Sequence, residues 1–136
     1  FIVLVLSLPI AWVWARYAQL RKVQMLSVAA FRSTSPMLIT NKDEIIIEVN
    51  PSFVAEFGYP AEELLGKTPQ ILKSEEHDAH FFQGIKESLL KQGHWDGEIV
   101  NKRKDGALVT EFLHIDAIHV DKSPDPKFYV ANYRDI

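Results

Sequence analysis

The hydrophobic pattern changes its period along the chain. Residues 1–15 form an uncharged apolar run, and residues 16–33 contain neither Gly nor Pro and are rich in helix formers. One helix is therefore expected to continue through both segments. From there short apolar runs take over, and residues 36–40 and 45–49 flank a polar turn, which predicts a hairpin of two strands.

Three helices are predicted after the hairpin. Asn is a favoured N-cap and Pro a favoured first helical residue, so Asn50-Pro51 opens a short helix. A second short helix spans 60–66. A third spans 77–93, because apolar residues recur there every four positions before a terminal Gly.

Three further strands complete the pattern, at about 94–102, 107–120 and 127–134. A basic turn ending in Gly106 separates the first two, and a loop of Asp, Ser and Pro separates the last two. Strands followed by helices and then by strands are typical of an α+β domain with an antiparallel sheet.

One polar residue interrupts an apolar face of the strand at 94–102. Side chains alternate faces in a strand, so Trp95, Gly97, Ile99 and Asn101 share one side. A buried amide costs about 1–3 kcal/mol if its hydrogen bonds go unmade. Asn101 therefore needs either a structural partner or a ligand.

Composition narrows the functional classes. A chain of 136 residues that is 47% hydrophobic suffices for one compact domain. Its net charge of -3, with mixed signs, offers no clustered basic surface for nucleic acid. Because the chain has no cysteine, disulfides, thiolate catalysis and a cysteinyl adduct with a chromophore are excluded.

The apolar N-terminal run is expected to be the end of a transmembrane helix. Trp12 and Trp14 precede a basic flank that begins at Arg16, the arrangement found where a helix leaves a bilayer on its cytoplasmic side. Fifteen residues reach roughly 22 Å, short of the roughly 30 Å hydrocarbon core. We therefore expect a piece of a longer membrane protein. A buried core helix and a signal-peptide remnant are the alternatives.

Several motifs together carry a family resemblance. They are Asn50-Pro51-x-Phe53, Gly58-Tyr59-Pro60-x-Glu62-Glu63-Leu64-x-Gly66-Lys67, Gly93-x-Trp95-x-Gly97-Glu98-Ile99, Asn101-Lys102-Arg103-Lys104-Asp105-Gly106 and the final Arg134-Asp135-Ile136. In combination they resemble a PAS domain, over about residues 28–136.

The resemblance implies an organisation and a role. It implies a five-stranded antiparallel sheet with short helices on one face, over 34–136. In the sequence this domain follows the expected transmembrane end at 1–15 and a helical signalling linker at 16–33. A homodimer is implied, and the linker is either part of a dimer coil or a helix on the domain's own sheet. The implied role is a non-catalytic sensor or relay on the cytoplasmic side of a bacterial inner membrane. Its output module, a diguanylate cyclase, a cyclic-di-GMP phosphodiesterase or a histidine kinase, would lie downstream.

The resemblance also indicates which cofactor such a domain would bind. The light-sensing flavin branch has a Cys motif where this chain has Thr68-Pro69-Gln70-Ile71-Leu72-Lys73. The redox and aerotaxis branch, which binds FAD without covalent attachment, is more similar. Its Trp and Asn match Trp95 and Asn101, with Ile99 on the same face, and its His-Pro-Asp segment is similar to His77-Asp78.

Two alternatives to FAD remain open. Many PAS domains with these motifs have no established ligand, and there the Trp packs in the core and the module dimerises and relays. Haem is the other, with His77 or His80 as its axial ligand. A ligand-binding sensor would leave room between Trp95, Asn101 and the long helix.

Metal and enzyme chemistry find less support in the residues. His94, His114 and His119 are interpreted as loop or sheet-surface residues, and no third ligand joins any histidine pair to suggest zinc. Glu98 and Glu111 lie on neighbouring predicted strands, where they could approach each other, but carboxylates on a sheet more often face basic neighbours such as Lys102 or Arg103. Without a nucleophile, phosphate loop or metal triad, no catalysis is expected in this segment.

Overall fold

The computed structural model describes residues 10–15, 31 and 35–136. The chain divides into two compact units, Phe1–Arg32 and Ser33–Ile136. In the first unit residues 10–15 are helical and exposed; the rest of the predicted transmembrane segment and nearly all of the predicted linker lie outside the described residues. The helices built from described residues all lack the length and apolar character that crossing a bilayer requires.

The second unit contains five strands and several helices. In chain order they are β1 (Met37–Asn41), β2 (Ile46–Val49), α1 (Pro51–Phe57), α2 (Ala61–Leu64), a 3-10 helix (Pro69–Leu72), α3 (Ala79–Gln92), β3 (His94–Lys102), β4 (Leu108–Ile118) and β5 (Phe128–Asp135). The predicted order of elements is confirmed. The 3-10 helix falls in a stretch for which the sequence predicted no regular structure.

All the strands belong to one antiparallel sheet, in the order β2-β1-β5-β4-β3. The first strand therefore pairs with the last at the middle of the sheet, with Met37 opposite Asn132 and Asn41 opposite Phe128. The helices of the second unit that are named above all lie in the connection between β2 and β3. The α+β fold expected from the sequence is confirmed.

The core lies between the helices and the sheet face that carries Leu113 and Tyr133, which we call the inner face. Phe53 and Phe57 of α1 are fully buried, and their ring centroids lie 4.6 Å apart. Both rings meet Tyr133 of β5 edge-on, at 5.7 and 5.4 Å. Aromatic rings prefer such tilted contacts, so this end of the core is filled with side chains.

Asn50 joins the first strands to the first helix. Its side-chain oxygen accepts hydrogen bonds from Met37 N at 2.9 Å and from Phe53 N at 3.0 Å, and its Nδ2 donates to Ser35 O at 2.8 Å. The residue is fully buried. The N-cap predicted from Asn50-Pro51 is thus confirmed, and it also fixes the entry to β1.

Replacing Asn50 tests this junction. Asn50→Ala should lower the free energy of unfolding by about 2–4 kcal/mol, because buried backbone groups lose their partners. Asn50→Ser should cost less, since a hydroxyl still caps the helix. The measurement is urea unfolding followed by circular dichroism. Gln92→Ala, at an exposed helix end, is the control, and a loss below about 1 kcal/mol for Asn50→Ala would contradict the assignment.

Candidate functional site

A cavity of about 670 Å³ lies between α3 and the inner face of the sheet. Ile85 and Leu89 line it from the helix, and Leu38, Ile99 and Leu113 line it from the strands. Parts of the β1–β2 turn and of the 3-10 helix complete the wall. Pockets that hold small molecules span roughly 300–1,000 Å³, so this cavity has room for a ligand.

Asn101 places an unpaired amide in this apolar wall. The residue is 3% exposed, and within the described part of the chain its Nδ2 has no hydrogen-bond partner. Ile99 lies on the same face of β3 and also lines the cavity. An amide N–H buried in this way is available to an acceptor on a ligand.

Glu111 is a second buried polar group on the inner face. It is 1% exposed, and among the described residues neither carboxylate oxygen has a hydrogen-bond partner. Burial, with the charges of Glu56 and Asp135, raises its pKa to about 7. The side chain of Asn101 lies near enough to act as a hydrogen-bond donor to this carboxyl and lowers its pKa in part, although the contact is too poorly aligned to count as a well-formed hydrogen bond.

An acidic cluster surrounds Glu111. Oxygens of Glu56, Glu111 and Asp135 all lie within 4.8 Å of one another. Arg103 already supplies a cation there, since its Nη2 donates to Glu56 Oε1 at 3.0 Å. We therefore interpret the cluster as a charge network that closes one end of the core.

Sequence reasoning did not single out Glu111 as buried. Its partner across the β3–β4 ladder is Ile99, whereas Glu98 faces Phe112 and is exposed. The two glutamates therefore occupy opposite faces, and the expectation that they approach each other is wrong. Counting by twos from Leu113 would have found Glu111, because it has the same phase on β4.

Trp95 lies outside the cavity wall. Its ring packs edge-on against Phe81 of α3, with centroids 5.8 Å apart at 88°. The indole lies over Gly97, where an added Cβ would meet it at 2.7 Å. The Gly of the Gly-x-Trp-x-Gly motif is thus needed to seat the Trp against the strand.

The predicted site residues before α3 make structural contacts. His77 Nε2 accepts a hydrogen bond from Val100 N at 2.9 Å, and its ring stacks on Phe81 at 4.0 Å. Asp78 caps α3 by accepting from Phe81 N at 3.0 Å. His80 is exposed, and none of these three residues lines the cavity. Of the five candidates, the structure brings only Ile99 and Asn101 to it.

Comparison with known proteins agrees with this architecture. A family model described as a PAS domain matches residues 34–136. The chain belongs to the PAS domain family. That match contains the whole sheet, α3 and the cavity between them.

Two relatives are signalling proteins by name. The chain is 30% identical over 98 residues to a nitrogen fixation regulatory protein of Klebsiella oxytoca, covering 72% of this chain and 20% of that protein. It is 33% identical over 87 residues to a blue-light-activated histidine kinase of Brucella canis, covering 62% of this chain and 18% of the kinase. The chain therefore spans about a fifth of the length of these curated relatives.

A solved structure confirms the PAS fold. The PAS domain of a protein from Colwellia psychrerythraea superposes with a TM-score of 0.76 at 22% identity. The match covers 84% of this chain and 97% of that one. At this identity the likeness concerns the fold alone.

Gly97→Ala tests how Trp95 is seated. The added methyl group forces the indole to move, and we expect a loss of about 1–3 kcal/mol in the free energy of unfolding. Gly84→Ala is the matched control, because nothing lies within 4 Å of its added Cβ. In the middle of α3 that change should stabilise by about 0.5–1 kcal/mol. Chemical denaturation measures the stability of both variants. If both stabilities shifted in the same direction, the position of the Trp95 indole over Gly97 would be contradicted.

Glu111→Gln tests the buried acid through pH. The pKa is about 7 in the fold and 4.5 as the reference value, so the folded state binds more protons between those values. Stability of the wild type should therefore fall as pH rises through that window. Glutamine removes this term, and relative to wild type the variant should gain about 2–3 kcal/mol from about pH 5 to about pH 8. Denaturant melts at several pH values measure it, with the exposed Glu98→Gln as control; equal pH profiles for wild type and Glu111→Gln would refute it.

Proposed function

We propose that this PAS domain is the sensory module of a membrane-bound bacterial signalling protein and that its cavity binds a flavin without covalent attachment. The observation that supports this most is the unpaired Asn101 amide in the wall of a 670 Å³ cavity. Without a ligand that N–H has its poorly aligned contact with the Glu111 carboxyl, and a hydrogen bond missing at a buried donor costs about 1–3 kcal/mol.

The chemistry of the wall suits a flavin. A flavin ring is flat and largely apolar, with carbonyl and ring-nitrogen acceptors along one edge. Ile99 and Leu113 offer apolar surface, and Asn101 offers the donor. Lys73 is exposed and also lines the cavity, so its ammonium group would be available to pair with the phosphate of a bound flavin nucleotide.

The absence of cysteine shapes how such a flavin would act. A cysteinyl adduct of the light-sensing kind has no residue to form it. The flavin would instead respond through its oxidation state, and FAD is the form that the resemblance to the redox branch favours. Since Trp95 lies away from the cavity wall, the contact would rest on Asn101 and Ile99 rather than on the indole.

The geometry gives haem less support. An axial imidazole must offer a free ring nitrogen to the iron. His77 uses its Nε2 on the backbone of Val100, and His80 points to solvent outside the cavity. A ligand-free relay is the alternative, and its support is the filled end of the core around Phe53 and Phe57.

The wider setting is part of the same proposal. Residues 1–15 are uncharged and apolar, which suits a segment that ends at the cytoplasmic boundary of a bilayer. Near the end of that segment, the side chains of Trp12 and Trp14 are 63% and 67% exposed. A homodimer and a downstream output module, with a histidine kinase favoured by the named relative, complete it. The module itself would sense or relay, and catalysis would belong to the output.

Purification and reconstitution test the ligand. The 136-residue chain is expressed in cells with ample flavin and haem, and any bound cofactor is released by denaturation and identified by mass. Oxidised flavin should be found, and flavin removed by denaturation should rebind on refolding with FMN or FAD. Asn101→Ala should weaken that binding about tenfold, the equivalent of about 1.4 kcal/mol.

Two further variants separate ligand loss from misfolding. Asn132→Ala removes the same side chain from β5, where its cross-strand partner is His114 on the other face, and should bind normally. Ala131→Leu adds volume to the cavity wall and should block flavin while the domain still melts cooperatively. A folded wild type that neither carries nor rebinds flavin would leave the relay as the better account, and a haem spectrum would overturn the flavin.

A further inference from the structure

The outer face of the sheet, opposite the cavity, carries a square of four potential metal ligands. The sequence His-x-Asp occurs on β3 as His94-Trp95-Asp96 and on β4 as His114-Ile115-Asp116. Antiparallel pairing puts His94 opposite Asp116 and Asp96 opposite His114. Directly opposed residues point to the same face of a sheet, so both histidines and both aspartates project together.

The side chains converge on Asp96. His114 Nδ1 lies 2.5 Å from Asp96 Oδ1, and His94 Nδ1 lies 3.4 Å from Asp96 Oδ2. The two imidazole rings are 6.3 Å apart and nearly parallel, at 24°. Two imidazole nitrogens therefore approach one carboxylate from neighbouring positions.

Asp116 contacts the other ring nitrogen of His114, the one that does not face Asp96. Its Oδ2 accepts a hydrogen bond from His114 Nε2 at 2.9 Å, on the side of the ring away from Asp96. Histidines that ligate a metal usually donate their other ring N–H to a carboxylate, which fixes the tautomer and orients the ring. His114 is held in that way, with its Nδ1 turned toward Asp96.

We propose that His94 Nδ1, His114 Nδ1 and the Asp96 carboxylate form a surface site for a divalent transition-metal ion of the zinc class, with Asp116 orienting His114. Zinc takes imidazole at about 2.0–2.1 Å and carboxylate at about 2.0–2.2 Å, so tetrahedral ligands stand about 3.3 Å apart. The His94–Asp96 separation already matches that spacing. Asp96 and His114 would have to separate by less than an ångström. The Nδ1 nitrogens of His94 and His114 lie more than 4.8 Å apart, so the two rings would also have to turn toward each other, and water would fill the remaining position.

The setting permits this adjustment. The four side chains are between 37% and 50% exposed, so rotation about their bonds is not opposed by packing. Imidazole and carboxylate together favour zinc, cobalt or nickel over magnesium and calcium, which prefer oxygen alone.

Metal titration of the tag-free 136-residue chain tests the site. After treatment with a chelator, cobalt(II) is added as a spectroscopic probe, because tetrahedral cobalt absorbs visible light far more strongly than the hydrated ion. We expect one ion per chain, a tetrahedral spectrum and its loss when zinc is added. His94→Ala and His114→Ala should each weaken binding by at least about tenfold, and Asp116→Asn by about tenfold.

His119→Ala is the matched control. His119 lies just beyond β4, and its Nδ1 contacts Ser123 O at 3.3 Å, outside the square. The affinity of the His119→Ala variant for cobalt(II) should stay within about twofold of the wild-type affinity. Nitrogen-15 NMR of the imidazoles offers a second measurement on the unmutated protein, in which zinc should shift Nδ1 of His94 and His114. An octahedral cobalt spectrum, or equal affinity in wild type and both histidine variants, would overturn the proposal.

Discussion

The organising constraint of this domain is that polar groups in the core between the helices and the sheet are removed from water and must be compensated there. Asn50 meets it fully, with its oxygen and nitrogen engaging Met37, Phe53 and Ser35. Asn101 and Glu111 do not meet it from within the described residues. Buried polar groups are nearly always hydrogen-bonded, so Asn50 is a structural joint, whereas Asn101 and Glu111 compensate each other incompletely.

The two uncompensated groups differ in what can relieve them. Glu111 can be relieved by a proton, because a neutral carboxyl loses most of its desolvation penalty. An amide has no such option, and only an acceptor can satisfy Asn101. The carboxyl of Glu111 is one acceptor near that amide, and an acceptor on the proposed ligand would be another. Polar groups on the outer face do not carry this desolvation cost. His94 and Asp96 are partly exposed to water there, so they need no protein partner to be stable.

Local sequence patterns predicted the helices and strands, whereas the pairing register between distant strands determines which side chains come together. The periodicity of α3 and the cap at Asn50 are local properties, and alternation along β3 placed Ile99 and Asn101 on the inner face before any contact was known. The position of Trp95 was not predictable in this way, because it depends on the space above Gly97 and on Phe81 of another element. The His94–Asp116 pairing requires knowing which residues of β3 and β4 stand opposite. Inspection of the histidines alone, without that register, indicated no metal site.

The pairing of β1 with β5 also determines how this domain fits into a longer polypeptide. Tyr133 N donates to Pro36 O at 2.9 Å, so the backbone enters and leaves the sheet at neighbouring points. A unit with adjacent ends can be removed, duplicated or transplanted between other segments without changing the distance that those segments must bridge. Residues 36–135 can therefore be inserted into another protein, or exchanged for a related domain, without moving the segments on either side. A circular permutant that joins the two ends should need only a short connecting peptide.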